Sequence, residues 1–141
     1  MQSIGPFVEY AVFGILIVMS IIAVSITLER WRFYRVTQAT RYTSRARLES
    51  DLTRRLNIIG TIGANAPYIG LLGTVLGIMV TFQTLGSGAQ MDVKSIMVGL
   101  SLALKATAAG IAVAIPCVVL NNILRRKARE HLAIFDEAHG A

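Results

Sequence analysis

IGANAPYIGLLGTVLGIM, residues 62–79, decides how this chain folds, because it carries four glycines, a proline and a threonine but no charge. Gly63, Gly70 and Gly77 repeat every seven residues, and Gly73 with Gly77 makes a Gly-xxx-Gly pair. The cluster Gly70-Leu71-Leu72-Gly73-Thr74 lacks the lysine that a phosphate loop requires, so it is no P-loop. Small residues at this spacing instead let helix backbones approach closely in lipid, where packing replaces the hydrophobic drive. The surrounding apolar run extends from Ile58 to about Leu85 and would reach about 42 Å as a helix. That exceeds a hydrocarbon core of about 30 Å, so the helix must tilt or protrude.

Two further apolar runs flank it, 7–28 and 93–124. Composition agrees with a membrane protein: 54% of the 141 residues are hydrophobic and 16% are charged, against about 25% charged in a soluble domain. The fold class expected is all-α, an integral membrane protein with three transmembrane helices in a single membrane domain, 1–141. The expected order is span 1 over about 7–28, a cytoplasmic helical segment over 29–57 and span 2 over about 58–85. A periplasmic turn at 86–92, span 3 over about 93–124 and a cytoplasmic tail at 125–141 follow. The first run is not preceded by the basic stretch of a signal peptide, so it reads as a retained span.

The net charge of +6 comes from arginines and lysines crowded at the ends of apolar runs. Arg30, Arg32, Arg35, Arg41, Arg45, Arg47, Arg54 and Arg55 follow span 1, and Arg125, Arg126, Lys127 and Arg129 follow span 3. Basic loops stay in the cytoplasm, which predicts a periplasmic N-terminus and a cytoplasmic C-terminus. Anionic lipid head groups are the expected partners of this charge. Nucleic acid is not, since no recognition helix or aromatic-interleaved basic strand is present. Leu48, Leu52 and Leu56 recur every four residues, and Asp51 with Arg55 is spaced for an i,i+4 ion pair. The segment is therefore expected as a helix that continues into span 2.

Span 3 repeats the small-residue theme with Gly99, Ala103, Ala106, Gly110 and Ala114. Two such stripes can zip together within one chain, or their surplus can recruit further copies; a homo-oligomer is the expectation. Pro67 and Pro116 each remove a backbone donor inside a span and predict a kink. Thr74 and Thr107 are the deepest hydroxyls, with Thr81 one heptad beyond Thr74. By spacing they either bond back to a carbonyl one turn earlier or line a polar seam. Lys105 lies about ten residues inside span 3, where an ionisable group costs about 2.5–3.5 kcal/mol. It must desolvate to neutrality, face water, or meet an acid from another chain, because Glu9 and Asp92 sit near the outer boundary. Cys117, the single cysteine, reads as a small apolar residue. His131 and His139 have no metal-ligand spacing and read as surface residues. No catalytic constellation, metal site or cofactor is implied, and the chain is not expected to be an enzyme.

The quoted stretch of span 2, together with LKATAAGIAVAIP at 104–116, closely resembles the ExbB/TolQ/MotA family, and the second motif is similar to its ExbB and TolQ branch. The likeness is strong over residues 56–124; span 1 matches only in position and orientation. The resemblance implies a subunit of a proton-driven motor in the inner membrane of a Gram-negative bacterium. Such subunits form a ring, typically a pentamer, around transmembrane helices of a second protein, ExbD. Protons then move by way of a membrane Asp on that partner, and the motion powers TonB, which opens outer-membrane transporters for iron chelates and vitamin B12. Thr74 and Thr107 match the two family threonines that face the pore. The family often carries a glutamate where this chain has Leu102, so the intramembrane charge has moved one turn to Lys105 and changed sign. Alternatives are a TolQ-like stator for the envelope, or a passive membrane scaffold without proton flux.

Overall fold

The computed structural model describes residues 4–88, 90 and 92–140. Four helices are present: α1 (Ile4–Val36), α2 (Arg45–Leu52), α3 (Leu56–Gly86) and α4 (Val93–Ala138), with a 3-10 turn at Ala39–Arg41 between α1 and α2. The described residues contain no strand, and α1, α3 and α4 are each long and apolar enough to cross a membrane. Ile17, Val18 and Ile21 on α1, Leu72 on α3 and Ile115 on α4 are exposed, as side chains facing acyl chains would be.

The long helices overrun the hydrocarbon. The 31 residues of α3 span about 46 Å and the 46 residues of α4 about 69 Å. Neither proline breaks its helix; α3 runs on through Pro67 and α4 through Pro116. The outer turn is Ser87 and Gly88, the latter at φ 85°, and part of the predicted 86–92 turn, Ala89 and Met91, lies outside the described residues. Asp92 caps α4 by accepting the Ser95 N–H at 3.0 Å, and the Ser95 side chain together with that amide holds its carboxyl below the usual range.

The predicted helix over 29–57 is interrupted. α1 carries on to Val36, α2 starts beyond its N-cap Ser44, and Arg55 at φ 67° turns the chain before α3 begins. The expected Asp51–Arg55 pair does not form, because this left-handed residue swings the guanidinium away. Arg55 lies 3.4 Å from Glu29 instead, and Asp51 accepts the Tyr42 hydroxyl at 2.8 Å. The leucine repeat nevertheless buries as one stripe across the turn. Leu48, Leu52 and Leu56 are fully buried, in a cluster with Ile59, Leu124 and Phe135.

The closest packing is between antiparallel α3 and α4. A Cβ on Gly70 would sit 2.5 Å from the Ala106 carbonyl oxygen, and one on Gly110 2.5 Å from that of Ala66. Gly77 faces Ala103, Gly63 faces Cys117, Gly99 faces Thr81, and Gly73 lies against both Ala106 and Val12 of α1. Ala114 is buried with Ala66 and Ala106. The two stripes therefore meet each other inside one chain.

Gly70→Ala should lower stability by about 1–3 kcal/mol through overpacking against backbone, read as an earlier unfolding midpoint in mixed micelles. Gly14→Ala, with nothing within 4 Å of the new methyl, should leave the midpoint in place. The Asp92 cap acts while the carboxylate is ionised. Its contribution is present above the ordinary carboxyl pKa and is lost as pH falls through the lowered one; faster exchange of the Ser95 amide in that acid window is the expected readout.

Candidate functional site

The α3–α4 seam brings Thr74 and Thr107 together. Thr74 is buried and Thr107 half-buried, and their hydroxyls are hydrogen-bonded to each other. The Thr74 Oγ1 is also 2.7 Å from the Ala103 carbonyl oxygen and 3.4 Å from that of Gly70. A carbonyl only accepts, so Thr74 donates to Ala103, and its oxygen then receives the Thr107 proton. In this arrangement Thr107 presents lone pairs on its open side. Rotating both hydroxyls reverses the chain, so that Thr107 presents a proton there instead. The pair can thus meet a carboxyl group in either protonation state.

The glycine contacts make this possible. Backbones that touch at Gly70 and Gly110 bring two short side chains, one turn away, within hydrogen-bonding reach. Thr74 lies within reach of its own helix at Gly70 and also of Thr107 across the seam. Thr81 does not join the pair. It bonds back to Gly77 O at 3.0 Å and packs under Gly99.

Lys105 lies on another flank of α4. Ala103 and Ala106 are buried in the seam while Lys105 is exposed. It shares a shallow groove of about 630 Å³ with Val93, Lys94, Met97, Val98, Ser101 and Leu102. Leu102 and Lys105 thus line one face, as their spacing requires. Among the described residues no carboxylate lies within 4 Å of the Lys105 ammonium.

A second polar cluster, at the basic end of the bundle, was not legible from motifs. Arg30 is 2% exposed and donates to the Asp51 carbonyl at 2.5 Å and to Glu29 Oε1 at 2.7 Å. The buried Tyr34 hydroxyl donates to the Leu52 carbonyl at 2.5 Å. Burial, reinforced by the hydrogen bond to Asp51, pushes the Tyr42 phenol up. Arg125 reaches Asn57 at 3.1 Å and Asn121 at 3.3 Å, tying the start of α3 to α4. His131, expected on the surface, is half-buried and lies 3.0 Å from the Tyr34 carbonyl. These bonds place the end of α1, the start of α3 and the end of α4 at one end of the molecule, so both basic segments share a side.

The arrangement defines a multi-pass helical membrane protein whose paired hydroxyls sit within apolar helices, not around a solvent cleft. Its sequence agrees: residues 26–137 match the MotA/TolQ/ExbB proton channel family, and the chain belongs to that family. It is 48% identical over 140 residues to a biopolymer transport protein ExbB of Aquifex aeolicus, covering 99% of this chain and 95% of the relative. A biopolymer transport protein ExbB of Helicobacter pylori is 50% identical over 127 residues, 90% of this chain and 88% of that one. A Tol-Pal system protein TolQ of Pseudomonas aeruginosa is 39% identical over 89 residues, 63% of this chain and 38% of the relative.

Proposed function

We propose that this chain is the ExbB-type subunit of a motor in the inner membrane, driven by the proton-motive force, that energises TonB-dependent import across the outer membrane. The observation that carries the reading is the hydrogen-bonded Thr74–Thr107 pair, held at the tightest part of the seam. Near full-length identity to ExbB relatives supports it over a TolQ-like role, since the TolQ match covers 38% of that relative. The subunits assemble as a homo-oligomeric ring, most simply a pentamer, around an ExbD-like protein with a transmembrane Asp. The basic segments at one end of the bundle face the cytoplasm, which leaves the N-terminus in the periplasm.

The mechanism needs no covalent step. When the partner's carboxyl is protonated, its O–H donates to the lone pairs of Thr107. After the proton leaves, the reversed hydroxyl chain donates to the carboxylate and holds the charge in an apolar setting. One charge crossing 100 mV releases about 2.3 kcal/mol, enough to bias the ring relative to its partner at each step. Lys105, on a separate flank of α4, attracts and selects an acidic partner helix.

Three measurements test this. In vesicles holding the chain and its acidic-helix partner, Thr74→Val and Thr107→Val should each reduce proton flux at least tenfold with the complex still assembled. Thr81→Val, whose hydroxyl is spent on Gly77, should cost less. Unchanged flux in the first two variants would leave only a passive scaffold. Lys105→Met should keep the ring intact while weakening partner affinity or moving its pH dependence; if both stay put, the pairing is wrong.

A further inference from the structure

At the basic end of the bundle, α1 and α4 form a cleft of about 270 Å³ lined by Trp31, Tyr34, Arg35, Lys127, Glu130 and His131. Two cations converge on one indole there. The Lys127 ammonium stands 4.5 Å from the Trp31 ring centre, and the Arg35 guanidinium 5.9 Å from it. Like charges sharing a platform repel, and a ring face offsets only part of that. Among the described residues neither cation has a carboxylate within 4 Å, and the acid on the lip, Glu130, pairs with Arg126 at 3.5 Å. The Tyr34 hydroxyl is committed to Leu52. The cleft is thus left with excess positive charge and an open mouth, beside an indole that is 40% exposed.

The depth of the cleft identifies the missing anion. Trp31 and Arg35 stand three and seven residues beyond Leu28, where the first apolar run ends. Lys127 and His131 stand three and seven beyond Leu124, where the third ends. At 1.5 Å per residue the inner pair lies about 5 Å outside the hydrocarbon and the outer pair about 10 Å. The head-group layer occupies roughly the first 5–8 Å, so Trp31 and Lys127 lie at its level, and Arg35 belongs to it through a side chain that reaches back to 5.9 Å from the Trp31 ring centre. His131 donates from Nε2 to the Tyr34 carbonyl, since that oxygen only accepts, which fixes the ring at the cleft wall.

We propose that this cleft binds the phosphate of an anionic phospholipid head group from the cytoplasmic leaflet. Lys127 and Arg35 clasp the phosphate, Trp31 lies along the glycerol, and the acyl chains descend the apolar faces of α1 and α4. The site is distinct from the general attraction of a basic surface to anionic lipid, because it needs two cations from two helices converging on one indole.

Trp31 is the only tryptophan in the chain, so its fluorescence reports the site directly. The full-length protein in neutral detergent would be titrated with short-chain phosphatidylglycerol, phosphatidylcholine and inorganic phosphate. A saturable change with phosphatidylglycerol alone is expected, its midpoint rising at least tenfold in Arg35→Gln/Lys127→Gln. The control Arg32→Gln/Arg129→Gln removes the same charge from exposed positions on the same two helices and should move the midpoint less than twofold. Retention of phosphatidylglycerol by each variant in native mass spectrometry gives a second readout, and unchanged helix content confirms folding. An equal loss in the control, no saturation, or full competition by millimolar phosphate would overturn the proposal.

Discussion

The contact between Gly70 and Gly110 is the constraint on which the rest of the structure depends. In lipid no gain comes from removing apolar surface from water, so two helices stay together through dispersion between close surfaces. A methyl group on either glycine would collide with a carbonyl of the other helix at 2.5 Å. The absence of two side chains therefore sets the distance between α3 and α4. That distance lets Thr74 reach both Thr107 and the Ala103 carbonyl. Helix packing and the hydroxyl chain follow from one geometric fact.

Outside the apolar layer the logic changes. There α2 and the 3-10 turn are held by buried leucines and by side chains that satisfy helix-end carbonyls. Arg30 and Tyr34, one turn apart on α1, bond to the carbonyls of Asp51 and Leu52 at the end of α2. These are carbonyls that a helix terminus leaves without internal partners. Arg45 meets Asp136 at 3.1 Å, so α2 is pinned to α4 as well. The short segment between spans is thus a fitted brace.

Much of this was legible beforehand, because apolar runs and small-residue spacing are direct images of a helix in lipid. The three long helices and the residues of the seam were all readable in this way, and Leu102 and Lys105 fall on one face as i,i+3 geometry demands. What the stripes pack against was not readable, since packing within a chain and between chains asks for the same residues. The break at Arg55 was hidden for a different reason. Arginine has no preference for positive φ, and the surrounding contacts impose it. Arg30 looked like one more interfacial cation, and only the carbonyls presented by α2 explain its burial. Lys127 is 96 positions from Trp31 in the chain, and only the α1–α4 contact joins them.

The unbroken length of α4 has a mechanical consequence. From Gly110, where the helix bears on α3, to its end at Ala138 it runs for about 42 Å as one helix, continuous through Pro116. A swing of 5° about that fulcrum would carry the far tip by about 4 Å, calculated from the same rise per residue. Phe135 and Asp136 ride on this tip, one packed into the buried cluster at the basic end and the other bound to Arg45. Any sideways push at the level of the hydroxyls would therefore arrive, magnified, as torque on α2.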